Sequence, residues 1–545
     1  MAVIITDNRT IPSEADATTG WTASAGVAVF TTNPTPVEST GSLGTQVSNA
    51  LEDSYFTITS ANLTNTLVYC WLLPQGVMDT TTNGGVQIYL GDGSNDRGYH
   101  VGGSDGAGFR HDDGPVLWQC FVIDTSTLPT ATTNFVGAGA PNLTTITRIG
   151  NAFKTLVKSV GGVENCFMDL IAYGNGGLTI TGGGTGTEGK FLEIAVRDRA
   201  TTDHPGSGVA SATGAAYGII RELGADLYGL QGPLTFGNTG TGSVDFDDAD
   251  VTVAFEDRGI GTDKYGLTVT GNGTGTTSVV WTECIFNCPA GVGAFFTATN
   301  TNVNTLTITG CTFLNYDQSF AFTTGANGSG YTITNNIFSG CARIGVGTAS
   351  FTGNSMQSSV GTAAVLLTTP TNNINNSEFI SSGTGHAIEI GTAGTYSFSG
   401  HSYSGYATTD GTTGNEVIYN NSGGAVTINV ANSTGTISVR NGAGASTTIV
   451  NNVNNTVTVL DTDTNPVVGA VVAVYNSSTG AEIVNDETDV NGEVAFTSSG
   501  NLGIYVRVRK STSGSTRYVP VETVGDTGSG LLLTVTLIED LIASA

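Results

Sequence analysis

Four acids stand between residues 280 and 405: Glu283, Asp317, Glu378 and Glu389. Two carboxyl groups about 5–5.5 Å apart can cleave a glycosidic bond with retention, and a pair about 6.5–9.5 Å apart with inversion. If this stretch winds in successive coils, outward residues of adjacent turns could bring Glu283 beside Asp317 and Glu378 beside Glu389. A sugar cleft also needs exposed rings for stacking, and Tyr316, Tyr403 and Tyr406 are the candidates. Four acids over so long a span is sparse for a hydrolase. Their alternative reading is as solvated positions on an outer face, so the expectation is a binding or structural role, with polysaccharide cleavage as an alternative.

Other chemistry is poorly supported. The G-x-S-x-G match at GGSDG (102–106) needs a strand, a sharp turn and a helix, and the following GAGFRHDDG has no helical pattern. GTGTEGKF (184–191) imitates a phosphate loop, but Phe191 stands where the magnesium-ligating Ser or Thr belongs. DTDTNP (461–466) opens like a calcium loop, but Pro466 and Val472 replace the required Gly and Glu. Calcium at the acidic turns of Asp92, Asp96, Asp245 and Asp247 is the one ion left open; otherwise no cofactor is expected. The five His, at 100, 111, 204, 386 and 401, lack zinc spacing, and Cys284 and Cys288 have no second pair.

Composition narrows the class further. Gly accounts for 77 of 545 residues, about twice the usual share of roughly 7%, and only 12% of residues are charged. That suits many short strands joined by tight turns, not a helical bundle. The 18 Lys+Arg against 45 Asp+Glu leave a net charge of −27, which repels nucleic acid and anionic membranes. Neither is expected as a partner, and no apolar run is long enough for membrane insertion. The start, MAVIITDNRTIP, has no basic region, so no signal peptide is expected. Seven Cys, an odd number without a compact framework, read as reduced core thiols made in a cytoplasm.

The elements that must position these residues follow from periodicity. Residues 1–175 hold strand-like runs such as TLVYCWLLP, GGVQIYLGDG and VENCFMDLIAYG, the pattern of an antiparallel sandwich; only FKTLVKSV (153–160) has some helical spacing. Residues 176–244 read as a Gly/Thr-rich junction. Over 245–460 an internal repeat appears, anchored by Phe286, Phe313, Phe338, Met356, Phe379 and Tyr403 at spacings of 27, 25, 18, 23 and 24. Repeats of this length are stacked supersecondary units, each burying its neighbour's inward face. One coil of a right-handed parallel β-helix per repeat places the anchors in a ladder. Two positions before the anchors stand Cys284, Cys311, Asn336, Asn354, Ser377 and His401, a second column of packing and hydrogen-bonding groups. From 415 the period shortens, leaving either strands that pair across three chains or narrower coils of one chain.

Residues 461–545 carry Pro466, Gly469, Val471 and Val474, then Thr488, Asp489, Asn491, Gly492 and Phe496. This pattern resembles the carboxypeptidase-regulatory-like (Ig-like) β-sandwich family, with Asp489 capping its own turn and Gly492 in the left-handed position. The resemblance implies adhesion, spacing or assembly. The N-terminal run ending NCFMDLIAYG, with Asn165, Asp169 and Tyr173, resembles a concanavalin/laminin-G-like jelly roll. The fold class expected is therefore all-β: an N-terminal jelly-roll-like sandwich, a central right-handed parallel β-helix and a C-terminal Ig-like β-sandwich. The combination resembles tailed-bacteriophage virion proteins of the tail fibre or tailspike kind. It implies a homotrimer assembled in the bacterial host cytoplasm, partnered by other virion proteins and a host-surface glycan. A capsid- or tail-decorating protein is the alternative.

Overall fold

The computed structural model describes residues 3–31, 41–47, 50–74, 77–78, 85–102, 118–130, 132–157, 164–182, 188–198, 218–237, 243–256, 264–271, 274–322, 330–411, 414–499, 502–511, 515–527 and 530–541. It is all-β with large parallel sheets. It divides into two units: residues 1–350 with 359–361, and residues 351–358 with 362–545.

The first unit opens with two antiparallel sheets. One is ordered Thr132–Val136, Asp96–Gly102, Gly85–Gly91, Ile146–Val157, Glu52–Ala61, Trp21–Ala23; the other Gln119–Asp124, Leu67–Leu73, Glu164–Tyr173, Ser42–Val47, Val27–Phe30. Leu90, Ile149 and Phe153 of one sheet and Leu72, Met168 and Ile171 of the other share a fully buried core. Residues 153–157, where the sequence has helical spacing, are the end of a strand paired with Gly85–Gly91. Cross-strand pairing outweighs so short a helical signal.

The chain then winds. Leu234–Gly237, Ser243–Ala249 and Thr252–Phe255 enter three different sheets, and the next three strands, Gly266–Thr270, Thr276–Thr282 and Ile285–Asn287, pair parallel with them in the same order. Phe295–Ala298, Thr305–Thr309 and Thr312–Leu314 form a third layer, and Ser319–Phe322, Thr332–Thr334 and Ile337–Ser339 a fourth. This connectivity is compatible with a β-helix. Parallel pairing reaches back to Leu178–Gly182, inside the segment that reads as a junction.

Columns form as the spacing predicts. Phe286 pairs with Phe313 and Phe313 with Phe338, their rings stacked at 4.8 and 5.4 Å between centroids. Phe296 stacks on Phe320 at 4.8 Å in a second sheet. The short helix Phe191–Asp198 closes this core by placing Phe191 against Tyr228, Phe236, Phe246, Trp281 and Phe286.

The second unit also contains parallel-paired coils. Met356 pairs with Phe379 and Phe379 with Tyr403, the last two rings stacked at 5.5 Å. Gly394–Ser399, Ala425–Ala431 and the first half of Ser446–Leu460 pair parallel within the chain. The second half of Ser446–Leu460 pairs with Glu493–Ser499 and Leu532–Thr536, so one strand serves both the coil and the C-terminal sheets. Opposite lies an antiparallel sheet ordered Glu482–Glu487, Val471–Asn476, Gly503–Arg509, Val521–Asp526, and both sheets contribute to one core of Val457, Val459, Val472, Val474, Val506 and Val508. Asp489 Oδ1 accepts from the Asn491 and Glu493 amides at 2.9 Å each, and Gly492 has φ +76°, as the turn motif predicts.

One corner of each coil lies three residues before the anchor. It is Asp250, Glu283, Gly310 and Asn335 in the first unit, with φ between +56° and +68°, and Gly353, Asn376 and Gly400 in the second, with φ between +58° and +71°. Only Gly, Asn and Asp adopt this left-handed conformation at low cost. At Gly400 a Cβ would also stand 2.2 Å from Asn376 Oδ1. Gly400→Ala is expected to destabilise the protein by about 1–2 kcal/mol, seen as a lower denaturant midpoint, whereas Gly400→Asn should cost less.

Candidate functional site

The structure separates the four candidate acids by role. Glu283 occupies a coil corner at φ +56°, over Gly310 of the next coil. Asp317 accepts from the Gly291 and Ala294 amides at 2.7 and 2.9 Å and so ties down the loop of the preceding coil. Glu378 is exposed and accepts from Ser355 Oγ at 2.8 Å. Glu389 is buried, accepting from Asn421 Nδ2 at 2.9 Å and Thr362 Oγ1 at 3.2 Å. Glu283 thus serves a corner and Asp317 a loop, while Glu378 and Glu389 stand on strands and bond to side chains of neighbouring segments.

The aromatic candidates need correction. Tyr316 is fully buried against Phe313 and Phe320, and Tyr403 is only 8% exposed and stacked on Phe379. Neither ring has a face to offer a sugar, because the inward period of the coil claims both. Tyr406 stays half-buried.

The second column is present and buried. Cys284 N donates to Cys311 Sγ at 3.4 Å, Cys311 N to Asn336 Oδ1 at 2.8 Å, and Asn336 Nδ2 to the Ile308 carbonyl at 2.9 Å. In the second unit Asn354 N donates to Ser377 Oγ and Ser377 N to His401 Nδ1, each at 3.3 Å. All seven Cys are buried thiols outside any disulfide. Burial pushes the Cys341 thiol up to about 12 and raises those of Cys70 and Cys288, which suppresses thiolate chemistry.

The acidic turns are committed as well. Asp92 accepts from the Ser94, Asn95 and Asn142 amides, and Asp96 from Tyr89 Oη at 2.7 Å and Arg148 Nη1 at 2.5 Å. Asp245 and Asp247 lie on the outer face of their strand, while Asp248 turns inward. Among the described residues no group of three or more His, Cys, Asp or Glu is placed to hold a metal. Ser104, Gly184–Thr187 of the loop-like motif, His111 and His204 lie outside the described residues.

Asp248 carries an unusual charge state. Burial pushes its carboxyl up to about 7, although the Phe191 amide donates to it at 3.2 Å. Its folded value exceeds the unfolded one, so its contribution to stability is full below about pH 4 and is lost as pH rises through 7. Asp248→Asn is expected to remove this slope and to raise stability at pH 8 by about 2 kcal/mol, because ionisation of the buried carboxyl is no longer required. Denaturant midpoints at pH 4.5 and 8 check it.

Of the four acids, Glu389 alone lies in a wider constellation. The strands His386–Ile390, Ile418–Asn420 and Val439–Asn441 are neighbours in one parallel sheet. Register sets Glu389 beside Tyr419 and Tyr419 beside Arg440, an outward row across three coils. The inward register is Ile388, Ile418 and Val439. His386 stacks on the Tyr419 ring at 5.0 Å, and the Arg440 guanidinium lies 4.7 Å from the same ring. His386 Nδ1 is 2.8 Å from the Glu416 carbonyl and 3.7 Å from its Oε2; Nε2 is 3.4 Å from Arg440 Nη1. Burial, seconded by Arg440, holds the imidazole below its ordinary value against the pull of Glu416 and Glu389. The neutral ring thus donates through Nδ1 and accepts from Arg440 through Nε2, which leaves neither nitrogen free as a base.

This arrangement leaves the Tyr419 ring and the Arg440 guanidinium half-buried beside the exposed Asn421 amide, with Glu389, His386 and Glu416 buried behind them. Its chemistry is hydrogen bonding to a polar ligand. Sequence patterns mark none of Glu416, Tyr419, Asn421 and Arg440, and show His386 only as a histidine without zinc spacing. Alignment of AIEIG, VIYNN and SVRNG would have placed Glu, Tyr and Arg in one column, but spacings of 30 and 21 obscure it.

No protein-family model matches the chain, and no curated protein matches it. Among solved structures, the crystal structure of the Agl-KA catalytic domain aligns over 82% of this chain and 97% of its own, at 11% identity and a TM-score of 0.17. So loose a superposition carries neither fold nor activity across.

Proposed function

We propose that the chain is a structural protein of a tailed-bacteriophage virion, a tail fibre or tailspike that attaches to a host-surface glycan. In this reading the wound segment is a right-handed parallel β-helix. The antiparallel sheets before it form a concanavalin/laminin-G-like sandwich, and those after it a carboxypeptidase-regulatory-like, Ig-like sandwich. The observation that carries the reading is the stacked coil itself, whose columns of Phe, Cys, Asn and Ser serve the coil's own cohesion. Attachment draws support from Tyr419 and Arg440, half-buried neighbours in register beside the exposed Asn421, whose groups suit hydroxyl-rich ligands. A homotrimer assembled in the bacterial cytoplasm, contacting other virion proteins, completes the proposal.

Labelled full-length protein should bind some members of a panel of bacterial strains, and periodate oxidation of their surface sugars should abolish binding. Binding to none of them, together with immunogold label on the capsid of the source particle, would favour a decorating protein instead. Release of reducing sugar from capsule or lipopolysaccharide would make it a depolymerase. Sedimentation equilibrium decides the trimer, for which a stable monomer is the contrary result.

A further inference from the structure

The C-terminal sheet of Glu482–Glu487, Val471–Asn476, Gly503–Arg509 and Val521–Asp526 buries Val472, Val474, Val506 and Val508 on one face. Alternation then sends Ala473, Tyr475, Tyr505 and Arg507 to the other face. Register sets Tyr475 directly opposite Tyr505, ring centroids 6.4 Å apart. It also sets Ala473 between Asn485 and Arg507, with Glu522 opposite Arg507. A methyl group flanked by an amide and a guanidinium makes a trough, and the groove there has a volume of about 470 Å³. Arg507 is held in place: its Nε donates to Tyr505 Oη at 3.0 Å and stands 2.8 Å from Glu522 Oε1, and its guanidinium lies 5.0 Å from the Tyr505 ring.

We propose that this face is a binding site for a neutral saccharide chain. Two neighbouring tyrosine rings, tilted 41° to each other, and the guanidinium over the Tyr505 ring give a pyranose an apolar ring at Tyr475 and a planar donor group beside it. The trough beside it presents an amide, a guanidinium and a carboxylate, which donate to and accept from vicinal hydroxyls. The groove falls within the size range of small-ligand sites. Of the two arginines that line the groove, Arg507 is neutralised by Glu522, an arrangement that suits a neutral sugar. Arg509 shares a register row with Val471 and Glu487, and the chain as a whole carries −27. The inference concerns this sheet alone and does not rest on the virion reading.

Isothermal titration of the full chain with gluco-, galacto- and manno-configured pentasaccharides tests it. At least one should bind, with a change in the near-ultraviolet dichroism of tyrosine. Tyr475→Ala and Tyr505→Ala should each weaken that binding at least tenfold, Arg507→Ala should also weaken it, and Tyr475→Phe should retain it. All three positions are on the outer face, and unchanged far-ultraviolet dichroism confirms that the variants fold. No binding at millimolar sugar would overturn the proposal. So would preference for polygalacturonate or for a proline-rich peptide, or affinity unaffected in the Tyr475→Ala/Tyr505→Ala double variant. Cell attachment that survives in the double variant would remove this site from attachment and leave the attachment reading intact.

Discussion

Phe313→Ala is expected to destabilise the protein by about 3–5 kcal/mol. Its ring lies between Phe286 and Phe338, near parallel to both, and meets Phe296, Tyr316 and Phe320 edge-on. Truncation removes the transfer free energy of the ring and leaves a cavity whose walls are themselves fixed by strand pairing above and below. The walls therefore collapse little, which puts the cost toward the upper end. Phe313→Leu should recover more than half. Chemical denaturation measures both, and a loss under 1 kcal/mol for the alanine variant would mean that the column does not hold the coils together.

Lys264→Met should cost as much, about 3–5 kcal/mol, for a different reason. Lys264 Nζ lies 3.1 Å from Asp124 Oδ2 and 2.8 Å from Asn65 Oδ1, with side chains of Lys264 and Asp124 only 1% and 0% exposed. Asp124 also accepts from the Ser126 amide at 2.8 Å. Methionine matches the length of the lysine stem but takes the Nζ cation away from the buried carboxylate. The penalty is that of an uncompensated charge, so it should shrink when the charge is removed. The double variant Lys264→Met/Asp124→Asn, which retains an acceptor for Ser126, is expected within about 1–2 kcal/mol of the parent. Equal losses in the single and double variants would show that packing of the lysine stem, not charge, was at stake.

Both sites show what kind of information a sequence carries. Phe286, Phe313 and Phe338 could be assigned to one column because a coil repeats inward positions at near-constant spacing, and the same logic placed Cys311 beside Asn336. Lys264 and Asp124 are 140 residues apart, and nothing periodic links them. Their pairing depends on where a turn of the first antiparallel sheets meets the coil.

The acids divide in the same way. Glu283 drew attention as a carboxylate, yet its position three residues before Phe286 is a corner that Gly310 and Asn335 fill in later coils. Backbone conformation, which a residue type signals weakly, decided its role. Tyr316 and Tyr403 drew attention as rings, and inward-facing periodicity buried them.

The order of residues alone determined that this chain is built of strands, that its middle repeats, and which apolar groups point inward, because those properties are local or periodic. The tertiary structure alone decided which outward groups become neighbours. Coils of unequal length bring Glu389, Tyr419 and Arg440 into register, and that register depends on the length of each intervening loop, which no local pattern encodes.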